Sequence, residues 1–84
     1  MTTKEEIGTW FDKGKESGFL YMIVVCDTFD HEDYPVYTKE EDFKKEYDAH
    51  NNINMQRVME VYDLSIDKEF QINQGRAFNK PKGV

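Results

Sequence analysis

The sequence predicts an α+β fold, a three-stranded sheet with helices packed on it in the order α-β-β-α-β-α. Three observations lead there. The string Thr-Lys-Glu-Glu occurs at residues 3–6 and again at 38–41, each time ahead of apolar residues at helical spacing. Between the two copies, the run FLYMIVVCDTF at residues 19–29 is apolar on both alternating faces, the pattern of a strand covered on two sides. Three strands cannot bury both faces of a sheet unaided, so helices must cover at least one.

The first helix opens at Thr3, whose hydroxyl can accept from the Glu6 backbone while the Glu6 carboxylate reaches back, a capping box. Ile7, Trp10, Phe11 and Gly14 follow at i, i+3, i+4 and i+7 and make one apolar face. Gly18 is the left-handed residue expected to end it. Gly8 and Gly14 each cost about 1 kcal/mol relative to Ala inside a helix. They point either to a close approach by another backbone or to plain tolerance of a weak helix.

In the first strand, Tyr21, Ile23 and Val25 face one way and Met22, Val24 and Cys26 the other. Asp30-His31-Glu32-Asp33 breaks the run as an acidic hairpin loop. Tyr34-Pro35-Val36-Tyr37 resumes extended structure, as an edge strand or a strand start, because Pro35 has no N–H for a ladder. The second capping box, at Thr38, opens a helix carrying Phe43, Tyr47 and His50 that ends at Asn51-Asn52. NMQRVMEVYDL, from Asn54, is a third strand expected beside the first, its direction left open. Strict alternation places Met55, Arg57, Met59 and Val61 on one face and Val58, Glu60, Tyr62 and Leu64 on the other. Ser65 is the expected cap of a last helix running to about Gln74, with Ile66 and Phe70 inward and Gly75 at its end. Residues 1–84 then form a single domain, with 79–84 a flexible tail.

Composition bounds the function. The chain has 84 residues, 33% of them charged, and a net charge of -6. An acidic chain lacks the cations whose counterion release drives nucleic-acid binding, so no nucleic-acid partner is expected. No stretch is long and apolar enough to span a membrane, and MTTKEE lacks the basic and apolar regions of a signal peptide, which predicts a soluble, cytoplasmic protein. The one cysteine, Cys26, can make neither an internal disulfide nor a cysteine-based zinc site. Packing or homo-oligomerisation must stabilise the fold instead.

The densest polar cluster is Asp27, Asp30, His31, Glu32 and Asp33. No frame through it gives a calcium-loop pattern of alternate ligands, a glycine at the sixth position and a carboxylate at the twelfth. Acidic hairpin loops are ordinarily just solvated, so no metal ion and no cofactor is expected. Cys26, in the middle of an apolar strand, reads as an inert core thiol. Asp27 and Asp63 would form a carboxylate pair suited to acid-base chemistry if their strands were parallel neighbours. A chain this short has little material with which to enclose a substrate, and no enzymatic activity is expected, a metal-dependent hydrolase at the acidic cluster being the version to test.

The aromatic residues carry the stronger signal. Five Tyr exceed what a dry core can use, since each hydroxyl wants a partner or water. Tyr21, Phe29, Tyr34, Tyr37 and Tyr62, with the loop residues Asp30, His31, Glu32 and Asp33 and with Arg57, are therefore the expected binding surface. The competing reading is a small fold that uses Tyr for amphipathic area at its rim.

Residues 22–37, MIVVCDTFDHEDYPVY, together with 54–64, NMQRVMEVYDL, resemble a family of small proteins found in bacterial genomes and in bacteriophages. The resemblance covers most of the chain, from Trp10 to about Phe78, and implies a compact accessory protein of the kind mobile elements encode, located in the cytoplasm of a bacterial host. It carries over no functional residue. The function expected from residues and resemblance together is stoichiometric binding that inhibits or sequesters a host protein. The alternative is a small-ligand binder, nucleotide-like in preference, with its pocket at a homo-oligomer interface.

Overall fold

The apolar run becomes the middle of the sheet because it alone is apolar on both sides. In the computed structural model, which describes residues 3–74 and 76–81, β1 (Tyr21–Asp27) lies between β2 (Glu32–Thr38) and β3 (Gln56–Asp63). Both neighbours are antiparallel to β1. Register divides the strands into two faces. On the first, Met22 stands between Tyr37 and Tyr62, Val24 between Pro35 and Glu60, and Cys26 between Asp33 and Arg57. On the second, Ile23 stands between Val36 and Val61, and Val25 between Tyr34 and Val58.

Helices α1 (Lys4–Glu16) and α3 (Lys68–Ile72) cover the first face. Ile7, Phe11 and Ile72 join Met22, Val24, Tyr62, Leu64 and Ala77 in one buried cluster. Helix α2 (Phe43–His50), preceded by a 3-10 turn at Glu40–Asp42, covers the second face, where Phe43 packs with Tyr21, Ile23, Val25, Val58 and Val61. The expected α+β architecture and element order are thus present, with β1 apolar on both sides for the reason its composition suggested.

Local signals set the ends of α1. Thr3 Oγ1 accepts from the Glu6 amide at 3.1 Å. Beyond Glu16, the Gly18 amide donates to Lys15 and the Phe19 amide to Gly14, with Gly18 at φ +86°, the paired bonds of a Schellman close. Gly14 has its own reason. A Cβ there would lie 2.6 Å from the Tyr37 ring and 3.0 Å from Leu64, so the glycine lets α1 settle on the sheet. The neighbour is a side chain rather than the backbone expected. At Gly8 a Cβ would meet only ordinary contacts at 3.7 and 3.9 Å, so tolerance is the correct reading there.

Elsewhere tertiary partners override local signals. The second capping box does not form. Thr38 is the buried last residue of β2, its hydroxyl donates to Lys39 O, and neither the turn at Glu40 nor α2 has a side-chain cap. Strict alternation also fails in β3. Val24 pairs with Glu60 but Val25 pairs with Val58, leaving Met59 as a bulge. The extra residue turns Val58 to the face of Val61 and lets Met59 pack on the opposite cluster, and Arg57 follows Cys26 to the first face.

The last helix starts later than expected, because Asp67 rather than Ser65 caps it, accepting from the Phe70 amide at 2.9 Å. Ser65 instead binds the Asp63 carboxylate through its amide and hydroxyl. The inward residues are Gln71 and Ile72, while Ile66 and Phe70 are exposed. Gly75 lies outside the described residues. The segment expected to be a flexible tail is tied down at its start. The Val61 amide donates to Ala77 O, the Asn79 amide donates to Val61 O, and Pro81 is buried, which closes part of the outer edge of β3. Residues 82–84 lie outside the described residues.

Candidate docking surface

The two ends of the sheet are built differently, and the distinctive chemistry sits at the Asp27 end. There the loop Thr28–His31 joins β1 to β2 and is held by the carboxylate and carbonyl of Asp27. Asp27 Oδ1 accepts from the amides of Phe29 at 2.8 Å and Asp30 at 3.3 Å, and the His31 amide donates to Asp27 O at 2.7 Å. Nothing in that frame needs the Phe29 side chain, which is 70% exposed.

A second turn sits alongside. The Gln56 amide donates to Ile53 O at 2.9 Å, with Asn54 at φ 52° and Met55 at φ 63° between them. Two consecutive left-handed residues are what a tight hairpin turn requires, and Asn-Gly is the usual pair. Met in the second position costs about 1–2 kcal/mol. The Thr28 amide and hydroxyl both donate to Met55 O, at 2.7 and 2.8 Å, and lock the two turns together. Phe29, Ile53 and Met55 thus share one end, all exposed. Among the described residues, every non-glycine with positive φ, namely His31, Asn52, Asn54 and Met55, is at this end. Strain of this kind persists only where surrounding structure imposes it, and it gathers at functional positions.

The rim of this apolar crown is acidic. Asp27, Asp30, Glu32 and Asp33 come from the hairpin and Glu46 from α2. His50 ties α2 to β3, its Nδ1 lying 2.8 Å from Gln56 Oε1 and its Nε2 3.7 Å from the Glu46 carboxylate. The Tyr34 ring meets His50 edge to face at 6.3 Å. Burial, then the charge of Asp27, pushes the Tyr34 hydroxyl up, so it stays neutral beside this network. Cys26 stands between Asp33 and Arg57. Burial pushes its thiol up and the neighbouring Asp33 adds to the effect, against the smaller pull of Arg57. A thiol held protonated in this way is a poor nucleophile.

The structure separates the expected binding residues. Phe29, Asp30, His31 and Glu32 are exposed in the hairpin, with Asp33 and Tyr34 half-buried beside them and Arg57 exposed on β3. Tyr21, Tyr37 and Tyr62 are not part of that surface. Tyr21 is buried edge-on against Phe43, and Tyr62 is buried edge-on against Phe11 with its hydroxyl donating to Glu60. Tyr37 stacks on Phe19 under α1 and donates to Trp10 O at 2.8 Å. Tyr37, half-buried with its hydroxyl bonded, fits the reading of Tyr as amphipathic area at the rim, whereas Tyr21 and Tyr62 lie in the buried core. The Asp27–Asp63 pair does not exist either. Asp27 pairs with Gln56 and Tyr21 with Asp63, so the antiparallel register sets the two carboxylates at opposite ends of β1, about 20 Å apart. Among the described residues, no group of three or more His, Cys, Asp or Glu side chains is placed to hold a metal ion, and no helix is long and apolar enough to cross a membrane.

Met55 and Ile53 are the members of the surface that sequence reasoning missed. The available signal was the asparagine-rich stretch 51–54, which favours left-handed turn positions, followed by Met where Gly would be usual. Comparison of the chain with protein-family models, with curated proteins and with solved structures returned no match.

Proposed function

We propose that the protein acts by stoichiometric binding, docking the Asp27 end of its sheet on a basic, partly apolar patch of another protein. The observation that carries this reading is the pairing of a strained, exposed Met55 with an exposed Phe29 inside an acidic rim. Apolar prongs supply the contact that excludes water, and the carboxylates supply orientation and encounter rate toward a cationic partner. Sequestering or inhibiting a host component is the role such docking would serve, in line with the resemblance to bacterial and bacteriophage accessory proteins.

The test is affinity selection from a random peptide library on immobilised protein, repeated with Phe29→Ser. Enrichment of peptides with Lys or Arg flanking an apolar residue, lost in the variant and weakened by added salt, is the expected result. Enrichment that Phe29→Ser leaves intact, or of acidic peptides, would overturn the reading.

A further inference from the structure

A second site lies where α1, β3 and α3 meet around a groove of about 390 Å³. This is within the size range of small-molecule pockets. Ile7, Met59, Tyr62 and Ile72 form its apolar floor, with Ile7, Tyr62 and Ile72 all buried and Met59 half-buried. Polar groups within the floor are already committed. Tyr62 donates its hydroxyl to Glu60 Oε2 at 3.1 Å, and burial pushes that hydroxyl far above its ordinary range, so it remains a neutral donor.

Two cations at the groove have no carboxylate partner among the described residues. Arg76 donates Nε to Met59 O at 2.8 Å, which fixes the guanidinium across the edge of β3, and it forms no ion pair with a described residue. Lys4 makes neither an ion pair nor a side-chain hydrogen bond among the described residues. It also occupies the first position of α1, where the helix dipole favours a carboxylate over an ammonium. Among the residues that line this groove, Lys4 and Arg76 stand against the single carboxylate of Glu60; Glu5 and Glu69 line the adjoining groove that shares Lys4, which leaves Arg76 as the main cation above the apolar floor.

We infer that this groove binds a small apolar monoanion, an aromatic or branched carboxylic acid whose carboxylate meets Arg76 and Lys4 while its body covers Ile7, Met59 and Ile72. An arginine fixed through Nε still presents its outer N–H groups in the fork that matches a carboxylate. The Glu60 charge disfavours a dianion such as a phosphate monoester.

Methyl NMR titration of Ile7, Met59 and Ile72 tests this with three probes, phenylbutyrate, its neutral analogue phenylbutanol and phenyl phosphate. Phenylbutyrate should shift these methyl signals saturably, with phenylbutanol about tenfold weaker and phenyl phosphate weaker than phenylbutyrate. Arg76→Gln should cost phenylbutyrate about tenfold in affinity and leave phenylbutanol unchanged, the scale expected for a charged hydrogen bond. Lys4→Gln, which removes no bond of the fold, should act in the same sense by a smaller factor. Phe29→Ser should have no effect, which separates this site from the docking surface. Equal binding of acid and alcohol, tighter binding of phenyl phosphate, indifference to both cation variants, or no saturable shift at all would overturn the inference.

Discussion

Both ends of the sheet leave large apolar side chains in water, Leu20, Ile66 and the nearby Phe70 at the Tyr21 end and Phe29, Ile53 and Met55 at the Asp27 end, but only the Asp27 end combines them with left-handed backbone at residues other than glycine. The Tyr21 end is organised by Gln71, which is fully buried. Its Oε1 accepts from the Asp63 amide and from Asn79 Nδ2, and its Nε2 donates to Asp63 O and Ile66 O, so one side chain joins β3, the start of α3 and the C-terminal segment. Gly14 lets α1 approach there, and the left-handed position beyond α1 is filled by a glycine. At the Asp27 end the left-handed positions go to His, Asn and Met, and the exposed residues are Phe29, Ile53 and Met55. A chain this small gains stability from few contacts. Placing strain and exposed apolar surface together at one end is therefore costly, and a binding role there gives that cost a reason.

The largest expected effect breaks the Tyr21 end. Gln71→Leu takes the partner from the half-buried Asp63 amide and from the carbonyls that Gln71 serves, and should destabilise the protein by about 3 kcal/mol, measured by urea denaturation. Gly14→Ala should cost about 2 kcal/mol even after its gain in helix propensity, because the Tyr37 ring is held by Phe19 and by Trp10 O and cannot move aside freely. In a domain of this size that lowers the Tm by roughly 8–16 °C. Tyr62 gives a pH signature of the same core. Its folded pKa is raised above the unfolded value near 10, so the folded state holds the proton more tightly and stability should fall as pH rises above about 10. The slope from this one group is at most about 1.4 kcal/mol per pH unit, and Tyr62→Phe should flatten it in alkaline melts. The smallest effect is at Gly8, less than two helical turns before Gly14, where Ala fits in ordinary contact. Gly8→Ala should raise stability by about 0.5–1 kcal/mol, so the two glycines of one helix respond with opposite signs.

What the sequence made readable follows the same division between local and tertiary causes. The helix cap at Thr3, the left-handed end at Gly18, the two faces of β1 and the edge position of Pro35 depend on neighbours a few residues away, and all are present, although the Glu6 carboxylate receives the Thr3 hydroxyl in place of the backbone bond expected of a full capping box. The box at Thr38, the cap at Ser65 and the alternation through Met59 failed because a strand end, the Asp63 carboxylate and a bulge took precedence. For the site, the acidic loop and Phe29 could be named in advance. The burial of Tyr21, Tyr37 and Tyr62 could not, since it depends on α1 and α2 reaching opposite faces of the sheet. Nor could Met55, whose carbonyl is bound by Thr28 from the end of the neighbouring strand.

The contrast between the two ends is tested most directly by the stability of the double variant Phe29→Ser, Met55→Asn. Asn tolerates the left-handed position, and a Phe that is 70% exposed contributes little to the fold. The denaturation midpoint should therefore rise, by the equivalent of about 1 kcal/mol. A fall of that size or more would show that Phe29 and Met55 hold the fold together, and would contradict the claim that this end is shaped for a partner.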